Sequence, residues 1–252
     1  MRIAVCYKNV PDVESLRVNP DGTLDFTGIP WEIGPYDLNA VEAGVTLAES
    51  LPGSEVIALS VGGKEMDDTK LRKAILARGP DRLYGVRCEA ASQADSFATA
   101  SAIAEAVRSI GGVDLVLFGE GSGDIYAQQT GSMVGALLGW NCLNSVSALS
   151  ADGDGLEAVR SLENGTERYH VALPAAISVT SDINTPRLAS MKAILAAGKK
   201  PVEVVERETM EPNPTCVESI IAPRKAARRQ QVFTKPDEEA LALIRDTIAK
   251  SL

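Results

Sequence analysis

A single histidine, His170, stands among the 252 residues, and that scarcity removes several classes of chemistry. It lies in Arg168-Tyr169-His170-Val171-Ala172-Leu173, where it reads as a strand-face residue. With no second histidine and no Gly-x-Ser-x-Gly elbow, a Ser-His-Asp hydrolase has no foundation. Cysteine is sparse too. Positions 6, 88, 142 and 216 contain no Cys-x-x-Cys spacing, which argues against structural zinc and against a disulfide framework. No stretch reaches the ~18 to 20 unbroken apolar residues of a membrane span. The apolar run in MRIAVCYKNVP is about five residues, short of a signal-peptide core, and reads as a first strand. The expected compartment is the cytoplasm. Positive charge is also short: 25 basic against 34 acidic residues, net −9, lacks the basic footprint of a nucleic-acid binder. The local exception, Arg224, Lys225, Arg228 and Arg229, reads as a solvated surface or a partner contact.

Apolar residues make up 45% of the chain, enough for a large core. Strand-like and helix-like runs alternate. Ile3 to Tyr7, Val56 to Val61, Arg82 to Val86 and Leu115 to Phe118 read as strands. Pro35 to Ser50, Asp67 to Ala77, Asp95 to Ile110 and Gln129 to Leu138 read as helices. This order predicts an α/β fold with a mostly parallel sheet and right-handed crossovers. After about residue 150 the pattern changes. Leu156 to Ser161 and Glu167 to Leu173 flank Asn164-Gly165, a hairpin signal, and Ala175 to Val179 is a further strand. Periodicity around Met191 to Ala196 is weakly helical. Residues 206–236 turn polar and proline-bearing before an amphipathic helix at Glu238 to Leu252. The expected division is an α/β domain over 1–205 and a C-terminal arm over 206–252 that lies on a partner.

The richest segment for chemistry is Gly119, Glu120, Gly121, Ser122, Gly123, Asp124, Ile125, Tyr126, Ala127, Gln128, Gln129 and Thr130, running into Gly131 and Ser132. It follows a strand and enters a helix, where free amides and the helix dipole favour an anion such as a phosphate. It is neither a Walker A loop nor a Gly-x-Gly-x-x-Gly turn. The plain alternative is a glycine-rich connection. Gly34, Pro35, Tyr36 and Asp37 open the first predicted helix, and Val61 ends the second strand before Gly62-Gly63. All three segments belong to the carboxyl end of the predicted sheet, where open α/β folds bind ligands. No general-acid pair, metal cluster or nucleophile–base pair accompanies them, so the chain reads as a holder of something.

Longer segments carry a resemblance. They are Ala4-Val-Cys-Tyr-Lys8 with Val10-Pro11, Tyr36 to Ala43, Leu71 to Pro80, Gly119 to Gly131, Leu173 to Arg187, Ser190 to Leu195 and Lys199-Lys-Pro201. Over nearly its whole length the chain resembles the electron-transfer flavoprotein β subunit. Its SerGlyAspIleTyrAlaGlnGln and SerMetLysAlaIleLeu stretches look most like the Fix-type branch, which includes members linked to carnitine reduction and nitrogen fixation. The resemblance implies a Rossmann-like adenine-nucleotide-binding domain with a β-hairpin and an extended arm. It implies an α subunit that holds or shares FAD, with AMP, or a second FAD in bifurcating members, bound here. Nucleotide contacts would fall on Cys6, Gly34 to Asp37, Val61 and Gly119 to Thr130. The stretch with Pro186, Arg187, Met191 and Lys192 would dock on an acyl-CoA dehydrogenase-like partner or a CoA-ester reductase. Two positions depart from the family: Gly34-Pro35-Tyr36 replaces a frequent Asn-Pro-Phe, and Arg160-Ser161 replaces Arg-Glu.

The function expected is thus that of a non-catalytic electron-transfer subunit. The alternatives are a bifurcating subunit accepting electrons from NADH, a stand-alone adenine-nucleotide binder of the universal-stress type, and an interaction module with a vestigial site.

Overall fold

The computed structural model describes residues 1–211, 215, 218–223, 232–235 and 237–249. The basic cluster Arg224, Lys225, Arg228 and Arg229 and the fourth cysteine, Cys216, lie outside them.

The chain opens on β1 (Arg2–Cys6). Four short strands follow: β2 (Asn9–Pro11), β3 (Arg17–Val18), β4 (Leu24–Asp25) and β5 (Trp31–Ile33). Helices and strands then alternate through α1 (Pro35–Ser50), β6 (Glu55–Gly62), α2 (Thr69–Leu76), β7 (Arg82–Arg87), α3 (Ser96–Ile110), β8 (Leu115–Gly119) and α4 (Thr130–Leu138). β9 (Asn141–Asp152), β10 (Gly155–Leu162), β11 (Gly165–Val171) and β12 (Ala175–Val179) come in succession. α5 (Met191–Ala197), β13 (Val202–Glu206) and α6 (Glu238–Ala249) complete the elements.

Nine strands form one sheet in the order β11-β10-β9-β12-β8-β1-β6-β7-β13. The stretch from β9 to β13 is parallel throughout. β10 and β11 extend one edge as an antiparallel hairpin. From β1 the chain proceeds to β6 and β7 on one side, then returns to place β8 on the other. The switch point therefore lies between β1 and β8. Alternation along each strand divides the core in two. Ile3 and Val5 face α1 with Leu115, Leu117, Ile177, Val41 and Leu47. Ala4 and Cys6 face α3 and α4 with Ile57, Leu59, Val116, Ile103 and Val134. Both faces are covered, so the central strands are apolar runs rather than alternating ones.

The structure departs from the pattern reading in several places, the short strands β2 to β5 among them. α2 starts at Thr69, because the Asp68 carboxylate accepts from the Lys70 and Leu71 amides and Lys64–Asp67 form a separate 3-10 turn. β9 adds a strand whose apolar signal is thin. Its register shifts beside β10 and β12, and Ser145 takes a φ of 57° within it. β13 is a further edge strand, mostly exposed on both faces, which leaves it no burial pattern to read. Described parts of the C-terminal arm also touch the domain. The Ala222 amide donates to the Gly22 carbonyl at 2.8 Å, Ile221 bridges Thr23, and Thr215 Oγ1 donates to Asp95 at 2.8 Å.

Candidate functional site

The carboxyl ends of β1 and β8 flank the switch point, and two of the three predicted segments meet there. At Gly119 an added Cβ would lie 2.6 Å from the Tyr36 carbonyl carbon and 2.9 Å from the Asp37 nitrogen. Only glycine lets the end of β8 come this close to the first turn of α1. Further along, Gly123 lies against the Pro35 ring, and the Tyr36 and Tyr126 rings sit 5.1 Å apart, tilted by 51°. Tyr126 also packs over Gly121, where an added Cβ would lie 2.5 Å from its ring. The loop bends hard to do this: Tyr126 and Gln128 hold φ values of 53° and 57°, a left-handed conformation unfavourable for side chains of this size. Gln129 and Thr130 then begin α4.

Both helix starts at this edge lack a side-chain cap: Gly34 precedes α1 and Gln129 precedes α4. In α1, Pro35 has no N–H and the Asp37 amide donates to the Gly34 carbonyl at 3.1 Å, so it is chiefly the first amides of α4 that are left to solvent or to a ligand. In α4 these amides belong to Thr130, Gly131 and Ser132, so the free donors and the positive end of the helix dipole coincide. The charged groups beside them are Asp37, Asp124 and Lys8. Asp37 is buried, and its carboxylate accepts the Lys8 amide at 2.8 Å. Burial pushes its pKa up to about 7, against the lowering effects of the Lys8 amide and charge and of the Gly119 amide. The Lys8 ammonium reaches over to Asp124 at 2.6 Å. Burial raises the Asp124 carboxyl, but the Lys8 charge and hydrogen bond outweigh it, and the pKa falls below the ordinary value. Cys6 lies beneath this layer with its thiol pKa raised, first by burial and then by the Asp37 charge.

The predicted residues thus divide. Pro35, Tyr36 and Asp37 touch the loop of Gly119, Glu120, Gly121, Ser122, Gly123, Asp124, Ile125, Tyr126, Ala127, Gln128, Gln129 and Thr130, Gly34 bonds the Lys8 carbonyl beside them, and Cys6 underlies their junction. Val61 stands at the end of β6, two strands along from β8, or about 10 Å by ordinary strand spacing. Lys8 is the site residue that pattern reading passed over. Its signal is its position: a lone cation on the first turn out of β1, at the carboxyl edge.

The predicted docking stretch also resolves into two parts. Leu188, Met191 and Leu195 present an apolar surface, 91%, 74% and 73% exposed, and Lys192 is exposed beside them. Arg187 behaves differently. Its Nε donates to Glu42 at 2.8 Å and its Nη1 to Glu49 at 2.7 Å, so its fork is spent on α1. Pro186 is half-buried next to it. On the hairpin, Ser161 donates to Ser147 Oγ at 2.7 Å where the family pattern has a carboxylate. Arg160 bonds Asn144 and lies 5.9 Å over the Tyr169 ring.

The fold is that of a doubly wound α/β protein whose glycine-rich loop and first helix meet at the switch point of its sheet. The electron transfer flavoprotein domain model matches residues 21–210. That is more than half of the chain, which therefore belongs to the electron-transfer flavoprotein family.

Proposed function

We propose that this chain is the β-type subunit of a heterodimeric electron-transfer flavoprotein, of the Fix-type branch, with AMP bound at the β1–β8 switch point. The observation that carries the reading is the meeting of the uncapped start of α4, the first turn of α1 and the Lys8 ammonium at one sheet edge. This donor set fits a nucleotide monophosphate. The first amides of α4 and the Thr130 hydroxyl would hold the phosphate, and Asp124 and Asp37 are acceptors suited to sugar hydroxyls. Tyr36 and Tyr126 offer aromatic faces at the same mouth.

The electron-carrying chemistry is that of FAD, held by or shared with an α subunit. The residues of this chain bind and orient. They keep the nucleotide edge closed on the Cys6 side, and through α5 they offer an apolar surface to a redox partner such as an acyl-CoA dehydrogenase or a CoA-ester reductase. Met191 is an adaptable anchor for such a contact.

The test is the cofactor content of the complex co-expressed with its flavin-bearing partner. Denaturation is expected to release FAD and AMP in equal amounts. Two FAD per heterodimer with no AMP would move the chain to the bifurcating class. A complex free of adenine nucleotide would overturn the nucleotide reading.

A further inference from the structure

We infer that Glu120 ties the Gly119–Thr130 loop to the segment carrying α5, so that the state of the loop sets how firmly the docking helix is held. This inference rests on the nucleotide and docking roles proposed above. α5 itself has little apolar hold on the domain: Ala197 is its one fully buried residue, while Met191 and Leu195 point outward. It hangs between two anchors. Past its C-terminal end, the Lys200 ammonium donates to the carbonyls of Leu76 at 2.9 Å, Gly79 at 3.2 Å and Pro80 at 2.6 Å. That staple is fixed to the end of α2, away from the β1–β8 edge.

The anchor before α5 is built on α1. Asn39, buried, donates to the Ser181 carbonyl at 3.1 Å and the Asn184 carbonyl at 2.9 Å, and Asn184 donates back to the Asn39 carbonyl at 3.0 Å. Three residues on, Arg187 grips Glu42 and Glu49. Outside α1, Ile183 packs against the core and Thr180, just before the bracket, donates its amide to the Val146 carbonyl at 2.9 Å; the contact to the glycine loop is the Ser181 amide, which donates to Glu120 at 3.3 Å. Glu120 is also the residue whose charge and hydrogen bond, after burial, raise the Tyr126 phenol. Glu120 stands two residues before Ser122, whose hydroxyl and carbonyl accept the Tyr126 amide at 3.3 and 3.2 Å, so one short stretch holds both the strained turn of the loop and the first residue of the bracket. A ligand that rearranges the Tyr126 turn changes what Glu120 offers to Ser181. Glu120 is in this sense a positioning residue for α5.

Hydrogen exchange of the full chain tests the bracket without ligand. Glu120→Ala is expected to speed exchange across residues 188–197 about fivefold, the effect of losing one hydrogen bond that restrains local opening. Glu120→Gln keeps the accepting oxygen and should match the unsubstituted chain, and Arg187→Met should speed the same residues. Should Glu120→Ala also lose protection in β1 and β8, Glu120→Asp is read in its place, since it withdraws the carboxylate by one methylene. Exchange that quickens only within 119–132 overturns the inference. Added AMP separates the two readings. Slower exchange in both 119–132 and 188–197 supports both. Slower exchange in 119–132 alone overturns the link. No slowing in either, with Glu120→Ala still releasing 188–197, supports the link and sinks the AMP assignment.

Discussion

Asp37 joins three parts of the sheet edge: it begins α1, accepts the amide that follows β1, and stands against Gly119. Burial raises its pKa from the ordinary 3.8 to about 7. The unfolded chain therefore loses this proton first as pH rises. Between about pH 4 and pH 7 the folded state holds a proton that the unfolded state has released, and stability falls with rising pH by up to about 1.4 kcal/mol per unit. Above the folded pKa this slope vanishes. Asp37→Asn keeps an oxygen for the Lys8 amide and removes the titration. Urea midpoints measured from pH 4 to 8 should decline across that window in the natural chain and stay flatter in the variant. Parallel curves would mean that Asp37 is ionised throughout, as its amide donors favour.

At the scale of elements, α5 exposes its apolar residues and spends its polar neighbours on α1, the reverse of a helix built only for stability. Met191→Glu should leave thermal unfolding within about 0.5 kcal/mol of the natural chain, as for surface changes generally. It should sharply lower the rate at which the assembled flavoprotein exchanges electrons with its redox partner. An unchanged rate would remove α5 from the docking surface.

Legibility from sequence followed how strongly each element is buried. β12 and α1 are read to the residue, because β12 is buried on both faces and α1 has a Gly-Pro start and a long apolar stripe. β9 and β13 leave little signal because they are largely exposed and their alternation is broken, in β9 by register shifts. The glycine loop announced itself by composition. The capture of Arg187 by Glu42 and Glu49 did not, since it joins residues 145 and 138 positions apart and leaves no local trace.

At the scale of the molecule, the two core clusters draw their buried residues from Ile3 to Ala197, and none comes from the described part of the arm. Contacts do tie the arm to the domain: Arg207 pairs with Glu105 at 2.6 Å, and Ala222 bonds the turn between β3 and β4. Beyond them, α6 buries Ala240 but exposes Leu241, Ile244 and Ile248 by about half. An amphipathic helix with its apolar stripe exposed gains more from a partner groove than from its own domain. Removing residues 232–252 should therefore leave a cooperative unfolding transition, with its midpoint within a few degrees of the full chain (about 1 kcal/mol or less). Co-purification with the flavin-bearing subunit should be lost. If the truncated chain still assembles at full stoichiometry, the α subunit is held by the α/β domain alone and the arm serves its own fold. If the shortened chain fails to fold, α6 belongs to the domain rather than to the interface.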